Sequence, residues 1–247
     1  MGKYMMYIVG LGHTLKDLSL NSLGALKKSK EVYLESYTSL SNFKIEELET
    51  LIGKKVQILN RKGVEEEKLF LKDNTALLVY GDPLSATTHL EILQEAEKKN
   101  IKVEIIHAPS IMTTIAETGL QLYKFGKTAS IPFWTENHKP ESFFDYLEQN
   151  QSIGAHTLCL LDLDPENGKF LSILDAISRI LEISKFRKSN ISEKTKFIGC
   201  ARLGMKDAVI KYGNQEELSK VDFRKAPFCL ILLGKLNFIE EEIIAKY

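Results

Sequence analysis

The chain has 247 residues with 33 basic and 33 acidic side chains, so its formal net charge is zero. Apolar residues make up 44% and charged residues 27%, which is ordinary for a globular protein and excludes a mainly disordered chain. The balanced charge excludes a global field that would steer the protein to nucleic acid or to an anionic membrane. This length accommodates one large domain or two smaller ones, and we expect two.

Short apolar runs rich in β-branched residues predict five strands in the first part of the chain, at 4–9, 31–34, 55–59, 75–80 and 101–106. Segments with helical periodicity lie between most of these runs. The clearest are Leu20–Lys28 and Thr88–Lys99, and the second helix is expected to be capped by Thr87 or Thr88. The alternation of strand and helix predicts an α/β sheet covered on its faces.

A second series of elements follows the segment His107-Ala108-Pro109-Ser110. The proline ends the fifth strand, and Ser110 is suited to cap a new helix. Further strands are predicted at 128–133, 156–161, 196–201 and 228–233, and helices at 141–149, 169–185 and 214–220. We therefore place a domain boundary near residues 107–115 and predict two α/β domains, 1–112 and 113–247.

The cysteines and the apolar runs indicate the cellular compartment in which the protein is expected. The three cysteines lie inside apolar runs, are odd in number and show no CxxC spacing, which argues against disulfides and against a zinc site. The longest apolar runs, such as 228–233, are far shorter than the roughly 20 residues that span a bilayer. The N-terminus lacks the pattern of a signal peptide. These features predict a cytoplasmic protein with no membrane segment and no metal.

Three loops follow predicted strands and contain small or turn-forming residues: Gly10-Leu11-Gly12, Gly81-Asp82-Pro83 and Ala108-Pro109-Ser110. In an open α/β sheet, ligands bind at the loops that follow the carboxyl ends of strands. The sequence therefore predicts a binding site where these three loops converge.

Two glycine motifs imitate nucleotide-binding fingerprints without completing them. After Gly10-Leu11-Gly12, the third glycine of a dinucleotide fingerprint would stand at position 15, which is Leu15. The Gly126-Lys127-Thr128 segment lacks the first glycine of a P-loop, since position 121 is Gln121, and a strand follows where a helix is needed. We expect neither a nicotinamide site nor a nucleoside triphosphate site.

Asp82 is the carboxylate that packing explains least, because it stands at a strand end beside Pro83. It either forms an Asx turn with nearby backbone N–H groups or contacts a ligand, and the sequence leaves both interpretations open. His89 and His107 are equally ambiguous between general base and structural residue. No Ser-His-Asp order, HExxH spacing or carboxylate pair is present, so hydrolysis has little support.

Several longer motifs run through almost the whole chain in one order: VGLG at 9–12, VYLESYTS at 32–39, YGDPLSATTH at 80–89, HAPSI at 107–111, TGLQLYKFGK at 118–127, HTLCLLD at 156–162 and ARLG at 201–204. With these motifs the sequence resembles the diphthine synthases, members of the tetrapyrrole-methylase class of S-adenosylmethionine-dependent methyltransferases. GDPLxATTH followed by HAPSI is the specific part of the resemblance. The compact length is similar to that of archaeal members.

The resemblance implies two α/β domains with a ligand cleft between them, a homodimer, and S-adenosylmethionine as cofactor, released as S-adenosylhomocysteine. It also implies the reaction, which is repeated methylation of an amino group in diphthamide biosynthesis. That amino group lies on the 3-amino-3-carboxypropyl chain already attached to a histidine of elongation factor 2. In archaeal relatives of this type three methyl groups go onto the nitrogen.

The cofactor contacts implied by the motifs come from four places in the chain. Asp82 and Ser85 belong to the first binding loop, Ser110 and Ile111 to the second, and Leu161 and Leu203 to the opposite wall. Two further positions depart from the family pattern. His13 stands where the residue after VGLG is usually apolar, and Phe228 opens the last strand where histidine is common. Backbone contacts survive both changes, whereas side-chain contacts do not.

No catalytic residue is assigned by the resemblance. An accepting amine must be unprotonated to attack a methyl group, and Glu35, His89 and His107 are candidates for the base by their place near the motifs. Two alternatives remain. A methylase of a small tetrapyrrole, of the precorrin type, would share the cofactor site, although the segments at 37–43 and 122–127 favour a protein substrate. A non-enzymatic nucleotide-binding or assembly protein has the departures at His13 and Phe228 as its support.

Overall fold

The computed structural model describes residues 4–87 and 89–247. Contacts divide the chain into two compact units, the first ending at Thr114 and the second comprising Ile115–Tyr247. Each unit has its own five-stranded sheet. The α/β class predicted from the alternating pattern is confirmed.

Among its described residues, the first unit contains five strands and four α-helices. The strands are β1 (Tyr4–Gly10), β2 (Glu31–Glu35), β3 (Val56–Leu59), β4 (Thr75–Val79) and β5 (Ile101–Ile106), and the helices are α1 (Leu20–Lys28), α2 (Ile45–Ile52), α3 (Leu90–Lys98) and α4 (Ile111–Thr114). All pairings in this sheet are parallel, and the strand order is β3-β2-β4-β1-β5. The five predicted strands are confirmed to within one or two residues, because each is a short segment rich in apolar and β-branched residues.

Helices cover both faces of the first sheet, as the side chains of β4 show. Leu77 packs with Ile92 of α3 in one apolar cluster. The next residue, Leu78, points to the opposite face and packs with Leu26 of α1 and Leu48 of α2. Because successive strand residues face opposite ways, both faces of β4 are buried. This explains why its sequence reads as an apolar run without alternation.

The ends of two helices test the predicted caps. Helix α3 has His89 at its N-cap position with no side-chain cap, and Thr87 accepts a hydrogen bond from the His89 N–H at 3.3 Å instead. Thr87 thus satisfies a backbone donor just before the helix without occupying its N-cap position, and Thr88 lies outside the described residues. Helix α4 begins after Ser110, whose Oγ accepts from the Met112 N–H at 3.3 Å, so that predicted cap is confirmed.

The second unit contains a mixed sheet and a small ribbon. Its strands are β6 (Ala129–Ile131), β7 (Thr157–Leu161), β8 (Leu163–Asp164), β9 (Lys169–Phe170), β10 (Phe197–Ala201), β11 (Val209–Gly213) and β12 (Phe228–Leu232), and its helices are α5 (Ser142–Ser152), α6 (Ile173–Arg187), α7 (Gln215–Ser219) and α8 (Phe238–Ile244). The sheet order is β11-β10-β12-β7-β6, with only β6 and β7 parallel. Phe144 of α5 and Ile177 of α6 pack with Leu230 in its main core.

The helix predicted at 169–185 begins later than expected. Lys169–Phe170 pairs with Leu163–Asp164 as a two-stranded ribbon, and the helix starts at Ile173 after the Ser172 cap, whose Oγ accepts from the Asp175 N–H at 3.1 Å. The predicted boundary was wrong because the ribbon consists of only two residues per strand. So short a pairing leaves no periodic signal.

The cysteines of the second unit lie in its sheet. Cys159, Cys200 and Cys229 stand on β7, β10 and β12 and are buried free thiols. Burial raises the pKa of the Cys159 thiol to about 12. Among the residues described, no helix combines the length and the apolar character needed to cross a membrane.

Candidate functional site

The strand order of the first unit brings three loops to one edge of the sheet. Strands β4, β1 and β5 are neighbours and run parallel, so their carboxyl ends lie side by side. The loops that follow them begin at Tyr80, Leu11 and His107. This is the convergence that the sequence predicts, and it lies where open α/β sheets bind ligands.

Glycines allow these loops to approach one another closely. The N–H groups of Gly12 and Gly81 each donate to the other residue's carbonyl oxygen, at 3.2 and 3.0 Å. Both glycines have positive φ, +67° and +69°, which other residues rarely adopt. A Cβ on Gly10 would lie 2.6 Å from the Gly81 carbonyl oxygen and 2.8 Å from the Ala108 Cβ. The loops after β4 and β5 are therefore packed closely against Gly10 at the end of β1.

Asp82 ties the loop after β4 to the loop after β5. Its Oδ1 accepts from the Leu84 N–H at 3.0 Å and from the Ser85 hydroxyl at 3.2 Å. Its Oδ2 lies 2.7 Å from Nδ1 of His107 and accepts from the Ala108 N–H at 3.3 Å. The Asx turn that the sequence suggests is present, and the other carboxylate oxygen makes long-range contacts that no local pattern predicts.

The electrostatics of this contact favour an ionised Asp82. Partial burial raises the pKa of its carboxyl group, but the hydrogen bonds from Leu84, His107 and Ala108 outweigh burial and hold the pKa below its ordinary value. The side chain is 11% exposed, whereas that of His107 is 65% exposed. A fixed negative charge thus lies just under the surface of this edge.

The second predicted loop is anchored by Ser110, which is buried. Its carbonyl oxygen accepts from the N–H groups of Thr113 and Thr114, both at 2.9 Å, in the first turn of α4. The Thr114 hydroxyl in turn lies 3.2 Å from Nε2 of His13. His13, Ser110 and the start of α4 at Ile111 are consequently near one another, although His13 and Ser110 are far apart in the chain.

The loop that follows Asp82 combines small side chains with a constrained backbone. Ala86 has a φ of +57°, an uncommon conformation for a residue with a side chain. Its neighbour Ser85 is half-buried and bonded to Asp82, as described above. Residues held in such conformations concentrate at binding sites and turns. The first unit therefore gathers His13, Asp82, Ser85, Ser110 and Ile111 at one edge.

Two of the three candidate bases are enclosed in the protein. The side chains of Glu35 and His89 are 0% and 2% exposed. Oε2 of Glu35 and Nε2 of His89 form an ion pair whose geometry does not meet the angles of a hydrogen bond. His89 Nδ1 lies 2.9 Å from the Pro83 carbonyl oxygen. Burial lowers the pKa of His89, but the carboxylate of Glu35 outweighs it and the net shift is upward. Neither group is open to an incoming substrate, so both expectations are corrected.

The second unit gathers its three predicted residues at one edge of its own sheet. Leu161 ends β7, Phe228 opens β12, and Leu203 lies in the turn after β10. Phe228 pairs in register with Ala201, and the Arg202 N–H donates to the Pro227 carbonyl oxygen at 2.9 Å. Leu161 and Leu203 are buried and Phe228 is half-buried, so this edge offers an apolar surface of limited exposure.

Sequence reasoning missed the close packing at Gly10 and the pairing of Asp82 with His107. The glycine-rich turn was visible, but its role as the contact point of three loops depends on strand order. The sequence did show that Asp82 and His107 each follow a predicted strand. Their pairing depends on the fact that these two strands, β4 and β5, lie on either side of β1. Over residues 4–87 and 89–247, no cluster of three or more His, Cys, Asp or Glu side chains is suited to a metal ion.

Comparisons with known proteins agree with the motif pattern. The family model described as "Tetrapyrrole (Corrin/Porphyrin) Methylases" matches residues 5–219. An Arabidopsis thaliana protein named "Probable diphthine methyl ester synthase" is 38% identical, and a Methanococcus vannielii "Diphthine synthase" is 41% identical, each with 98% of both chains covered. A crystal structure of a diphthine synthase aligns with a TM-score of 0.87 at 36% identity, covering 98% of this chain and 95% of that one.

Proposed function

Because this chain belongs to the tetrapyrrole methylase family and, within it, to the diphthine synthases, we propose that it transfers methyl groups to the diphthamide precursor on elongation factor 2. The acceptor is the amino group of the 3-amino-3-carboxypropyl chain on a histidine of that factor. The observation that carries the proposal is that the specific motifs GDPLSATTH and HAPSI meet at one sheet edge through Asp82 and His107. We place this activity in the cytoplasm, where translation factors work.

The residues of the first edge are suited to S-adenosylmethionine. Glycines at 10, 12 and 81 have no side chains that would block the main chain, which lets a ligand approach it closely. The ionised Asp82 places a negative charge where a sulfonium and an amino group would be favoured. In this proposal Ser85, Ser110 and Ile111 contact the same cofactor.

The second edge is suited to the adenine ring. Leu161, Leu203 and Phe228 present apolar side chains at the ends of adjacent strands, and an apolar wall stabilises a flat aromatic ligand. The aromatic ring of Phe228 also allows stacking on the adenine ring. A histidine, which is common at this position in relatives, would stack through an imidazole ring instead. In this proposal His13 contributes to the first edge through its main chain.

The proposed chemistry asks little of the protein beyond alignment. S-adenosylmethionine supplies an activated methyl group, which the acceptor nitrogen attacks in line. The chain's residues hold the reactants at the correct distance and exclude water, and effects of this kind contribute several kcal/mol. The acceptor nitrogen must lose its proton before it attacks, so a group of this chain that accepts a proton at the edge would increase the rate.

Mass spectrometry of elongation factor 2 tests the proposal. The factor carrying the unmethylated precursor is incubated with this protein and S-adenosylmethionine, and each transferred methyl adds one CH2 increment to the modified peptide. Mild alkali then separates esters, which hydrolyse, from methylated nitrogen, which does not. Since one relative is named for a methyl ester, the count before and after alkali decides between nitrogen alone and nitrogen plus carboxylate. Absence of any increment with folded protein would defeat the proposal.

Two further parts of the proposal have their own outcomes. Methylation of a small tetrapyrrole, with none of elongation factor 2, would favour the precorrin-type alternative within the same family. Binding of S-adenosylmethionine without conversion on either acceptor would favour a non-enzymatic role. We also propose a homodimer, for which light scattering coupled to size exclusion should give twice the 28.0 kDa mass of one chain.

A further inference from the structure

The five histidines of the chain differ sharply in what their rings contact. His89 and His156 are buried, and His13 lies beside the Thr114 hydroxyl. His138 is exposed, and its backbone pairs with Thr135 in the second unit. His107 has a side chain 65% exposed at the predicted cofactor edge, with one ring nitrogen anchored to a carboxylate. Of the histidines described at that edge, His107 is the one with a largely exposed ring anchored by a carboxylate.

The anchor determines which nitrogen of His107 is available. Oδ2 of Asp82 lies 2.7 Å from Nδ1, and a carboxylate can only accept, so Nδ1 carries the proton of the neutral ring. The lone pair is then on Nε2, the nitrogen farther from Asp82. A carboxylate that holds an imidazole in one tautomer and stabilises its protonated form is the arrangement by which histidine acts as a general base.

Asp82 is itself held in place for this role. Its two oxygens accept from Leu84, Ser85, His107 and Ala108, which occupies the roughly four acceptor positions of a carboxylate. The same hydrogen bonds keep its pKa below the ordinary value, so it remains an anion in neutral solution. Within the described residues, Asp82 is the charged group in ion-pair contact with the His107 ring.

We propose that His107 is the general base of the methyl transfer and that Asp82 is its positioning residue. This inference rests on the proposed function. Nε2 of His107 takes a proton from the acceptor ammonium, and the freed nitrogen lone pair forms the new N–C bond. The C–S bond of the donor breaks, and its electron pair leaves with sulfur as a neutral thioether. The imidazolium returns the proton to solvent before the next methyl is transferred.

The alternative bases do not meet the same conditions. Glu35 and His89 are buried and paired with each other, so neither reaches a substrate. Asp82 has its acceptor positions filled by this chain, as described above. A base of this kind contributes about 10²- to 10⁴-fold to the rate, which sets the size of the effect to be measured.

The experiment compares His107→Ala with the matched control His138→Ala, an exposed histidine of the second unit. Single-turnover methyl transfer to elongation factor 2 is measured at saturating S-adenosylmethionine over a range of pH. We expect His107→Ala to lower the rate by about 10²- to 10⁴-fold and added imidazole to restore part of it. The rate of the unaltered protein should level off as pH rises. The rate of the variant should keep rising with pH, because bulk hydroxide must then remove the proton.

Two measurements without turnover accompany the rates. Calorimetry with S-adenosylhomocysteine should give the same Kd for both variants and the unaltered protein within about 3-fold, a free-energy difference well under that of the rate effect. Nitrogen-15 NMR of the histidine rings in mildly alkaline solution should show His107 protonated on Nδ1, and Asp82→Asn should abolish that preference.

Each outcome supports or overturns the proposal. An unchanged rate and plateau in His107→Ala would overturn it, as would loss of S-adenosylhomocysteine binding in step with loss of rate, which would make His107 a structural part of the loop. Failure of imidazole to restore any rate would also count against it. If the unaltered protein transfers no methyl group, the proposed function fails first, and this inference fails with it.

Discussion

Replacement of Gly10 by alanine should test the convergence of the three loops directly. A Cβ at this position would lie 2.6 Å from the Gly81 carbonyl oxygen, 2.8 Å from the Ala108 Cβ and 2.9 Å from the Pro83 Cδ. Comfortable contact between such atoms needs about 3.5 Å, so the loops must separate by roughly 0.6–0.9 Å. All three atoms belong to the loops that carry Asp82 and Ser110.

The energetic cost follows from this separation. Adding a methyl group to a closely packed site costs about 1–3 kcal/mol. If cofactor binding requires the original loop positions, the same cost appears in affinity as a loss of about 5- to 150-fold, since each 1.4 kcal/mol is a factor of ten. The control is Gly24→Ala in α1, where a Cβ would meet nothing within 4 Å. That change should be neutral or stabilise the protein by up to about 1 kcal/mol.

Calorimetric titration with S-adenosylhomocysteine measures the affinity, and urea unfolding measures the stability of both variants. We expect the Gly10 variant to lose both affinity and stability and the Gly24 variant to lose neither. Wild-type affinity in Gly10→Ala would refute the reasoning, because the loops would then tolerate a separation of most of an ångström without consequence for the ligand.

Two further predictions concern the second unit. Burial raises the pKa of Glu240, but hydrogen bonds from Lys124, Gln121 and Asn237 outweigh burial and lower it from 4.5 to about 2. The ionised carboxylate therefore stabilises the folded state by about 3 kcal/mol above pH 4.5. This contribution is lost as pH falls toward 2. Glu240→Gln should accordingly lower the free energy of unfolding most at neutral pH, and a difference from wild type that did not shrink in acid would contradict this. The three buried thiols, Cys159 among them with its pKa raised to about 12, should resist a thiol reagent until denaturant is added. Mass spectrometry of the labelled protein counts the modified cysteines, and rapid native labelling would contradict the burial.

The geometry at Asp82 joins the two interpretations that its sequence leaves open. It forms the turn that holds the Leu84 N–H, and it also fixes His107 across the edge. Because its acceptor positions are filled from within the chain, its influence on a ligand is exerted through charge and through the ring it orients. A substitution here is expected to change more than one contact, which is why His107 is the cleaner test of the base.

The sequence alone determined nine of the ten strands in the two five-stranded sheets, because each of these nine is an apolar run long enough to stand out from its surroundings. It also indicated which loops carry the site, since residues such as Asp82 and Ser110 follow those runs and match a family pattern. The elements that the sequence did not predict are short or carry few buried apolar residues. The edge strand β11 is half-exposed, and α2 and α8 are only 8 and 7 residues long.

Only the tertiary structure decided which of the candidate groups can act. Glu35, His89 and His107 all lie near motifs, yet two are enclosed as a pair and the third is exposed beside Asp82. The sequence shows only where a residue lies along its own strand or loop. Exposure and partnership depend on the order in which strands assemble, and β1 takes its place between β4 and β5 through contacts between segments far apart in the chain.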